Sequence, residues 1–401
     1  MKTESLSSER LLHLGRIMEG YVERGEVPGI VMGVCRRGEI HIDVVGNTSL
    51  GGSEPMRRDT IFRISSMSKP ITAAATMTLV EEGKVHLDDA VEKWLPELAN
   101  RKVLGRIDAP LDETVPAQRP ITVRDLLTFT LGFGLLLAPT GEYPILKAAN
   151  ESQIGMRPAA SPQAMPDPDE WLRRLGTLPL MYQPGKRWLY GIGSNVLGVL
   201  IARVSGQPLE TFLRERLFEP LGMKDTGFSV PADKRDRLAS SYTSNPASGA
   251  LELFDSVQES QWGHPPAFPS GASGLVSTLD DYLAFAQMML SEGRHGSERT
   301  LSRLSIEAMI TDQLTPAQKA VSSPPLPGFF ETHGWGFGVS VETRRDDLAS
   351  VPGRYGWDGS LGTSWFCDPK EVLIGIILTQ RAMALDISRD FSTLAYQAIA
   401  D

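Results

Sequence analysis

Apolar and polar residues follow one rhythm at the two ends of this chain and another in its middle. Near the N-terminus Leu11, Leu14, Ile17, Met18 and Tyr21 recur at helical spacing. The segment GIVMGVCRRGEIHIDVVG follows, with two β-branched runs flanking Arg36-Arg37-Gly38, which predicts an antiparallel hairpin. The C-terminal end mirrors this. GWGFGVSVET and GTSWFCDPKEVLIGIILTQ, the latter turning at Asp368-Pro369, predict further antiparallel strands. From Leu385 onward Ile387, Phe391, Leu394 and Ala398 share one helical face. Strands and a helix at each end predict one layered domain built from residues 1–85 and 264–401.

Between residues 86 and 263 the pattern is helical, with proline-rich connections. Periodicity is visible at Val91–Leu98 and stronger in ITVRDLLTFTLGFG and SNVLGVLIARVSG. The proline-rich stretch 138–169 has little periodicity and reads either as a lid over a site or as a surface insertion. The expected class is α+β: an antiparallel sheet flanked by helices, with a mostly helical domain inserted. No internal repeat is present.

Composition narrows the function classes. With 401 residues, 41% of them hydrophobic and 22% charged, the chain can bury a full core without staples. A net charge of −9 argues against a nucleic-acid partner. Charges interrupt the apolar residues of the N-terminal segment, and no stretch approaches the ~18 apolar residues of a membrane span. The expectation is a soluble, cytoplasmic protein with no membrane partner. Cys35 and Cys367 match no zinc or redox spacing and read as buried thiols. The six histidines show no metal spacing, so no metal or cofactor is expected. His264 and His333 lie near regions that could rim a site, and read as structural or exposed.

The segment RISSMSKPITAAATMTLVEEG carries the chemistry. Pro70 lacks an N–H, so a helix holds it only in its first turn, which sets the start near Ser66, while Gly83 supplies the stop. Ser66 and Lys69 then share a face of that turn. The helix is apolar nearly all round and should be buried. Burial disfavours the charged form of Lys69, and a neutral amine beside a hydroxyl is a general base for forming an acyl-enzyme. The helix N-terminus adds positive potential where an oxyanion would develop. In isolation, Ser66 reads as a helix cap ahead of a nucleophile, because one Ser-x-x-Lys pair is expected by chance in about this many residues.

The surrounding segments resemble a known family. SSMSKPITAAATMTLVEEGKVHLDDAVEKWLPE is similar to the Ser-x-x-Lys helix of class C β-lactamases and related esterases. ITVRDLLTFTLGF resembles a second shared segment, from which Phe129 and Leu131 depart. PGKRWLYGIGSNVLGVLIARVSGQPLETFLRERLFEPLGMKDTGF and SGASGLVSTLDDYLAFAQMML resemble two more. The resemblance runs from about residue 25 to 380 and implies a β-lactamase-like fold within the serine β-lactamase and penicillin-binding-protein superfamily.

It also implies roles. Tyr190-Gly191-Ile192 takes the place of the family's tyrosine motif, so Tyr190 would relay protons between Ser66, Lys69 and the leaving group, with a nearby ammonium lowering its pKa. Ile192 stands where β-lactamases usually carry asparagine. Trp357-Asp358-Gly359 replaces the usual Lys-Thr-Gly, and such Trp-x-Gly variants resemble family VIII carboxylesterases. Gly359 suits close backbone approach to a ligand, and the N–H groups of Ser66 and Ser360 would form the oxyanion hole. Trp357 offers an apolar face and one N–H, while Asp358 has no assigned role. The nucleophile elbow of α/β-hydrolases, Gly-x-Ser-x-Gly, is absent.

The expected protein is thus a serine hydrolase taking a small-molecule ester of uncharged acyl type at Ser66, Lys69, Tyr190, Ile192, Trp357, Asp358, Gly359 and Ser360. The alternatives are a β-lactamase, a D-amino-acid peptidase, an acyltransferase, or a catalytically silent binding or scaffold protein.

Overall fold

Seven antiparallel strands, drawn from the two ends of the chain, form the frame. The computed structural model describes residues 5–136, 143–154, 164–322, 324 and 327–400. The strands are β1 (Gly29–Arg36), β2 (Glu39–Gly46), β3 (His333–Trp335), β4 (Ser340–Glu342), β5 (Tyr355–Gly359), β6 (Thr363–Asp368) and β7 (Leu373–Thr379). Their order across the sheet is β3-β4-β5-β6-β7-β1-β2. The N-terminal hairpin therefore docks on the last strand, with Ile30 opposite Thr379 and Arg36 opposite Leu373. Arg37 and Gly38 close that hairpin with φ of 49° and 84°, the two left-handed residues a twist-compatible two-residue turn needs.

Five helices matter for the site: α1 (Ser8–Glu23), α2 (Ser68–Glu81), α3 (Ile192–Ser205), α4 (Leu279–Leu290) and α5 (Leu385–Gln397). All eight residues of β1 are buried, because the sheet is covered on both faces there. Ile30, Met32 and Val34 pack with Leu11, Leu14 and Met18 of α1 and Phe391 of α5. Val31 and Cys35 alternate to the other face and join the main core with Leu279 and Phe285 of α4. Cys35 and Cys367 are both free, buried thiols. Helix α2 is buried from Ser68 through Leu79, as its all-round apolar character requires.

Several expectations need correction. Ile17 is 37% exposed, so it lies off the buried stripe of α1. The helix expected over 121–134 is only Val123–Leu127: the Thr128 hydroxyl turns back to the Arg124 carbonyl, the Thr130 hydroxyl donates to Asp125, and Phe129 adopts φ +58°. Val91–Leu98 forms two short 3₁₀ turns, split ahead of Pro96. Within 138–169 a helix spans Pro144–Glu151 and another begins at Pro168, so that stretch is not uniformly irregular. Residues 138–142 and 155–163 of the expected lid lie outside the described residues. The middle of the chain also holds two small hairpins, Lys102–Leu104 with Thr114–Pro116 and Ser241–Ser244 with Leu251–Asp255. We propose residues 86–263 as the inserted domain, with one apolar core continuing across its boundary from Val31 and Ile376 to Leu126 and Leu172. Among the described residues no helix is long and apolar enough to cross a membrane.

Candidate active site

Helix α2 is entered through a 3₁₀ turn, Ser65–Met67, with Pro70 inside the first α-helical turn. Ser65 holds φ +45°, a conformation that costs a non-glycine residue about 1–3 kcal/mol and concentrates at functional sites. The residue capping α2 is Met67, with no side-chain cap bond. The Ser66 hydroxyl is therefore not a cap. Lys69 Nζ lies 2.8 Å from Ser66 Oγ, and it donates to the Ala272 carbonyl at 2.8 Å. Lys69 is 2% exposed, and burial pushes its pKa down to about 7.

The loop that supplies the Ala272 carbonyl is pinned by hydrogen bonds. Asn195 Oδ1, on α3, accepts from the Ser270 hydroxyl at 2.8 Å and from the Ala272 N–H at 3.2 Å. The Thr72 hydroxyl donates to the Gly271 carbonyl at 2.8 Å. The Ser68 hydroxyl accepts the Leu275 N–H at 3.2 Å and donates to the Ser65 carbonyl at 2.7 Å. The Tyr282 hydroxyl, from α4, donates to the Met67 carbonyl at 3.0 Å. The 270–275 loop and the turn bearing Ser66 are thus tied to α2, α3 and α4.

Tyr190 reaches the same cluster from the opposite side. Gly191 takes φ +96°, a turn open to glycine, and α3 starts at the next residue. The Tyr190 oxygen hydrogen-bonds the Ser66 side chain and accepts the Trp357 indole N–H at 2.6 Å. Lys69 Nζ stands 4.6 Å from the centre of the Tyr190 ring. The expectation that an ammonium would lower the Tyr190 pKa fails. Burial pushes it upward and outweighs the downward pull of the hydrogen bonds with Ser66 and Trp357, while the Asp358 carboxylate adds a smaller upward push. Lys69 does not counter the effect because the same burial disfavours its own charge.

Around Tyr190 stands a wall of rings: Phe129, Trp188, Phe329, Trp335 and Trp357. Trp335 meets Trp357 edge-on at 4.8 Å, and Phe129 meets Tyr190 edge-on at 5.7 Å. The indole N–H groups of Trp188 and Trp335 are buried without a hydrogen-bond partner.

The third motif lies on β5. Gly359 packs so closely on the Ile64 carbonyl that any side chain there would collide with it, and the Ser65 and Ser360 hydroxyls bond at 2.8 Å. This brings the turn after β5 against the turn bearing Ser66. Asp358 accepts from the Ser364 hydroxyl at 2.5 Å, and burial raises its pKa. Ile192 is buried in the main core at the start of α3. His333 is engaged structurally: its Nε2 is 3.1 Å from Glu342 and its ring stacks on Phe329. His264 lines a surface pocket beside Arg235 and Glu259. Among the described residues no group of three His, Cys, Asp or Glu gathers as a metal site.

Two features escaped the sequence reading. The ring wall joins residues 129, 188, 329, 335 and 357, which lie far apart in the chain and meet only in the folded molecule. Asn195 left a usable signal, an amide next to Ser194 at the start of a helix that runs apolar from Val196 to Ala202.

The comparisons agree with this architecture. The Beta-lactamase family model matches residues 14–393, and the chain belongs to that family. Protein Rv1367c of Mycobacterium tuberculosis is 38% identical over 377 residues, covering 91% of this chain and 88% of that protein. Esterase EstB of Burkholderia gladioli is 30% identical over 392 residues, covering 92% and 90%. The solved structure of EstCE1, a hydrolase with promiscuous acyltransferase activity, superposes with a TM-score of 0.78 at 24% identity, covering 98% of each chain. The fold is β-lactamase-like, a mixed α+β arrangement around the seven-stranded sheet.

Proposed function

We propose that this chain is a carboxylesterase that forms an acyl-enzyme at Ser66 and hydrolyses small, uncharged esters. The observation that carries the reading is the 2.8 Å contact between Ser66 Oγ and an amine held near pKa 7 by burial. Such an amine is neutral in a useful fraction of molecules at neutral pH and can take the Ser66 proton during attack. Tyr190, with its pKa raised, stays protonated and serves as the acid for the departing alkoxide. The N–H groups of Ser66 and Ser360 are the oxyanion donors in this reading, supported by the Ser65–Ser360 contact. Water then attacks the acyl carbon with the same groups in reversed roles.

The substrate class follows from what the site offers. Ile192 and Trp357 provide neither an amide nor a cation for a substrate carboxylate. Losing a charge-assisted contact weakens recognition by roughly 1.5–3 kcal/mol, one to two orders of magnitude. Trp357 and its ring neighbours favour an alkyl or aryl acyl group. The test has two parts. Intact-protein mass spectrometry after fluorophosphonate exposure should find one adduct, on Ser66. The parent should also show a higher kcat/KM for p-nitrophenyl butyrate than for nitrocefin. Greater efficiency on nitrocefin than on every short ester would replace the esterase reading with β-lactamase, and no adduct would leave a binding protein.

A further inference from the structure

The sheet ends on one side in β3, three residues long, and on the other in β2, eight residues long with no strand on its outer edge among the described residues. The direction of the β2 backbone groups can be fixed. Arg36 and Glu39 flank the two-residue turn Arg37-Gly38 and so exchange both backbone bonds, which turns every second residue from Glu39 onward toward β1. Two contacts at the far end agree. The Asn47 N–H donates to the Pro28 carbonyl, and the Gly46 carbonyl faces outward to accept the Met56 N–H, both at 2.9 Å. Ile40, Ile42 and Val44 therefore direct their N–H and C=O groups away from β1, and Met56 closes the edge beyond Val44. The open run is centred on Ile42. It carries none of the lysine, proline or bulge that blunts an edge strand.

We propose that this edge takes a second copy of the chain: two β2 strands pair antiparallel about a two-fold axis at Ile42, joining two seven-stranded sheets into one. Ile42 then faces Ile42 of the partner subunit, and Ile40 faces Val44 of the partner subunit. These are hydrogen-bonded pairs, so every outward N–H and C=O from Ile40 to Val44 finds a partner. Ile40 and Val44 are 45% and 37% exposed in one chain, and the pairing sets them against each other.

Charge selects this register over its neighbours. On the α1 face of β2, His41 Nε2 lies 2.8 Å from Asp43 Oδ2. With the axis at Ile42, His41 stands opposite Asp43 of the partner subunit, in the closer, non-hydrogen-bonded kind of pair. Imidazole and carboxylate then alternate around the axis. The nearest registers that keep the backbone bonds centre on His41 or on Asp43. The first sets His41 against itself and Asp43 against Glu39 of the partner subunit, and the second sets Asp43 against itself. Like charges directly opposite each other are destabilising, so only the Ile42 axis satisfies both backbone and side chains.

Sedimentation velocity at about 50 μM chain should give twice the mass of one chain. Val44→Pro removes an outward N–H without touching the β1 ladder, and Ile40→Lys puts a charge into both apolar pairs. Each should weaken the dimer by about tenfold or more, with an unchanged far-UV circular dichroism spectrum. If Val44→Pro does not fold, Ile40→Lys carries the comparison. His41→Asp should also weaken the dimer, and adding Asp43→His should restore it, which a role confined to the fold of one chain would not do. Ile42→Cys tests the axis. Hydrogen-bonded antiparallel pairs hold their Cα atoms about 5.5 Å apart, within reach of a disulfide, so oxidation should link two chains. The native thiols, Cys35 and Cys367, are both buried. A monomeric parent overturns the proposal and leaves the edge to a different partner. A dimer that ignores Val44→Pro and Ile40→Lys, or that Ile42→Cys does not link, uses another interface or register and overturns it as well.

Discussion

The two sides of the Ser66 cleft are held by different forces. On the α2 side, Ser65, Ser68, Thr72, Asn195 and the 270–275 loop are joined by hydrogen bonds that fix individual atoms. On the Tyr190 side, Phe129, Trp188, Trp335 and Trp357 are joined by ring contacts, and two indole N–H groups there go unpaired. A hydrogen-bonded frame sets positions, whereas a ring wall sets volume and dryness. The two depend on each other, because the Tyr190 ring lies over Lys69 Nζ and helps to keep water from it. Reactivity on the polar side is thus set in part by packing on the aromatic side.

That contrast can be broken in four places. The largest effect belongs to the reacting groups. Ser66→Ala should reduce hydrolysis of p-nitrophenyl butyrate by about 10³-fold or more with an unchanged melting temperature, and Lys69→Ala and Tyr190→Phe by ~10² each. The double variant should lose far less than the product, since groups acting as a unit are not additive. Multiplicative losses in kcat would show two independent roles.

The next effect is on pH. Lys69 must be neutral to accept a proton, and its pKa has been lowered to about 7, so it is charged below that pH. kcat/KM should therefore fall about tenfold per unit below pH 7 and level off above it. A rate constant across pH 5–8 would remove Lys69 as the titrating base.

Asn195→Ala should come third. It leaves the Ala272 loop without its anchor, so kcat should drop by about tenfold with KM little changed. A rise in KM alone would place the loop in substrate binding instead. The last test falls on the aromatic side and reads stability rather than rate. Trp335→Ala should destabilise the fold by about 3–5 kcal/mol in denaturant titration. Trp335→Phe should cost far less, because the lost indole N–H has no partner in the core. Equal losses would mean that position, rather than volume, matters on this side as well.

What could be read in the sequence divides along the same line. Helix α2 was legible because its signals are local: Pro70 at the start, Gly83 at the stop, an apolar surface between. The Ser66–Lys69 contact follows from that geometry alone. The end-built sheet was legible too, since each strand carries its own turn. The ring wall was not, because Trp335 meets Trp357 only through the pairing of β3, β4 and β5 at the sheet edge. Periodicity also overran the helix after Ile121. The pattern there continues past Leu127, but the hydroxyls of Thr128 and Thr130 offer the backbone another set of bonds. The raised pKa of Tyr190 was missed for a related reason: a spacing shows neighbours in the chain, not how much water they exclude.

The meeting of the chain's ends has a consequence for how the molecule comes into being. The Arg10 side chain bonds the Gln397 carbonyl, 387 residues further on, and β1 finds its partner only in β7. On the ribosome, the first hairpin emerges long before β7 and must wait, one edge bare, until that strand follows. Contacts of such sequence separation form slowly, and an unpaired apolar strand is exposed to aggregation meanwhile. Helix α2 and the turn bearing Ser66 also emerge before the C-terminal strands. A nascent chain cut short before Leu373 would therefore hold Ser66 and Lys69 but lack β7, the strand that joins β1 to β6.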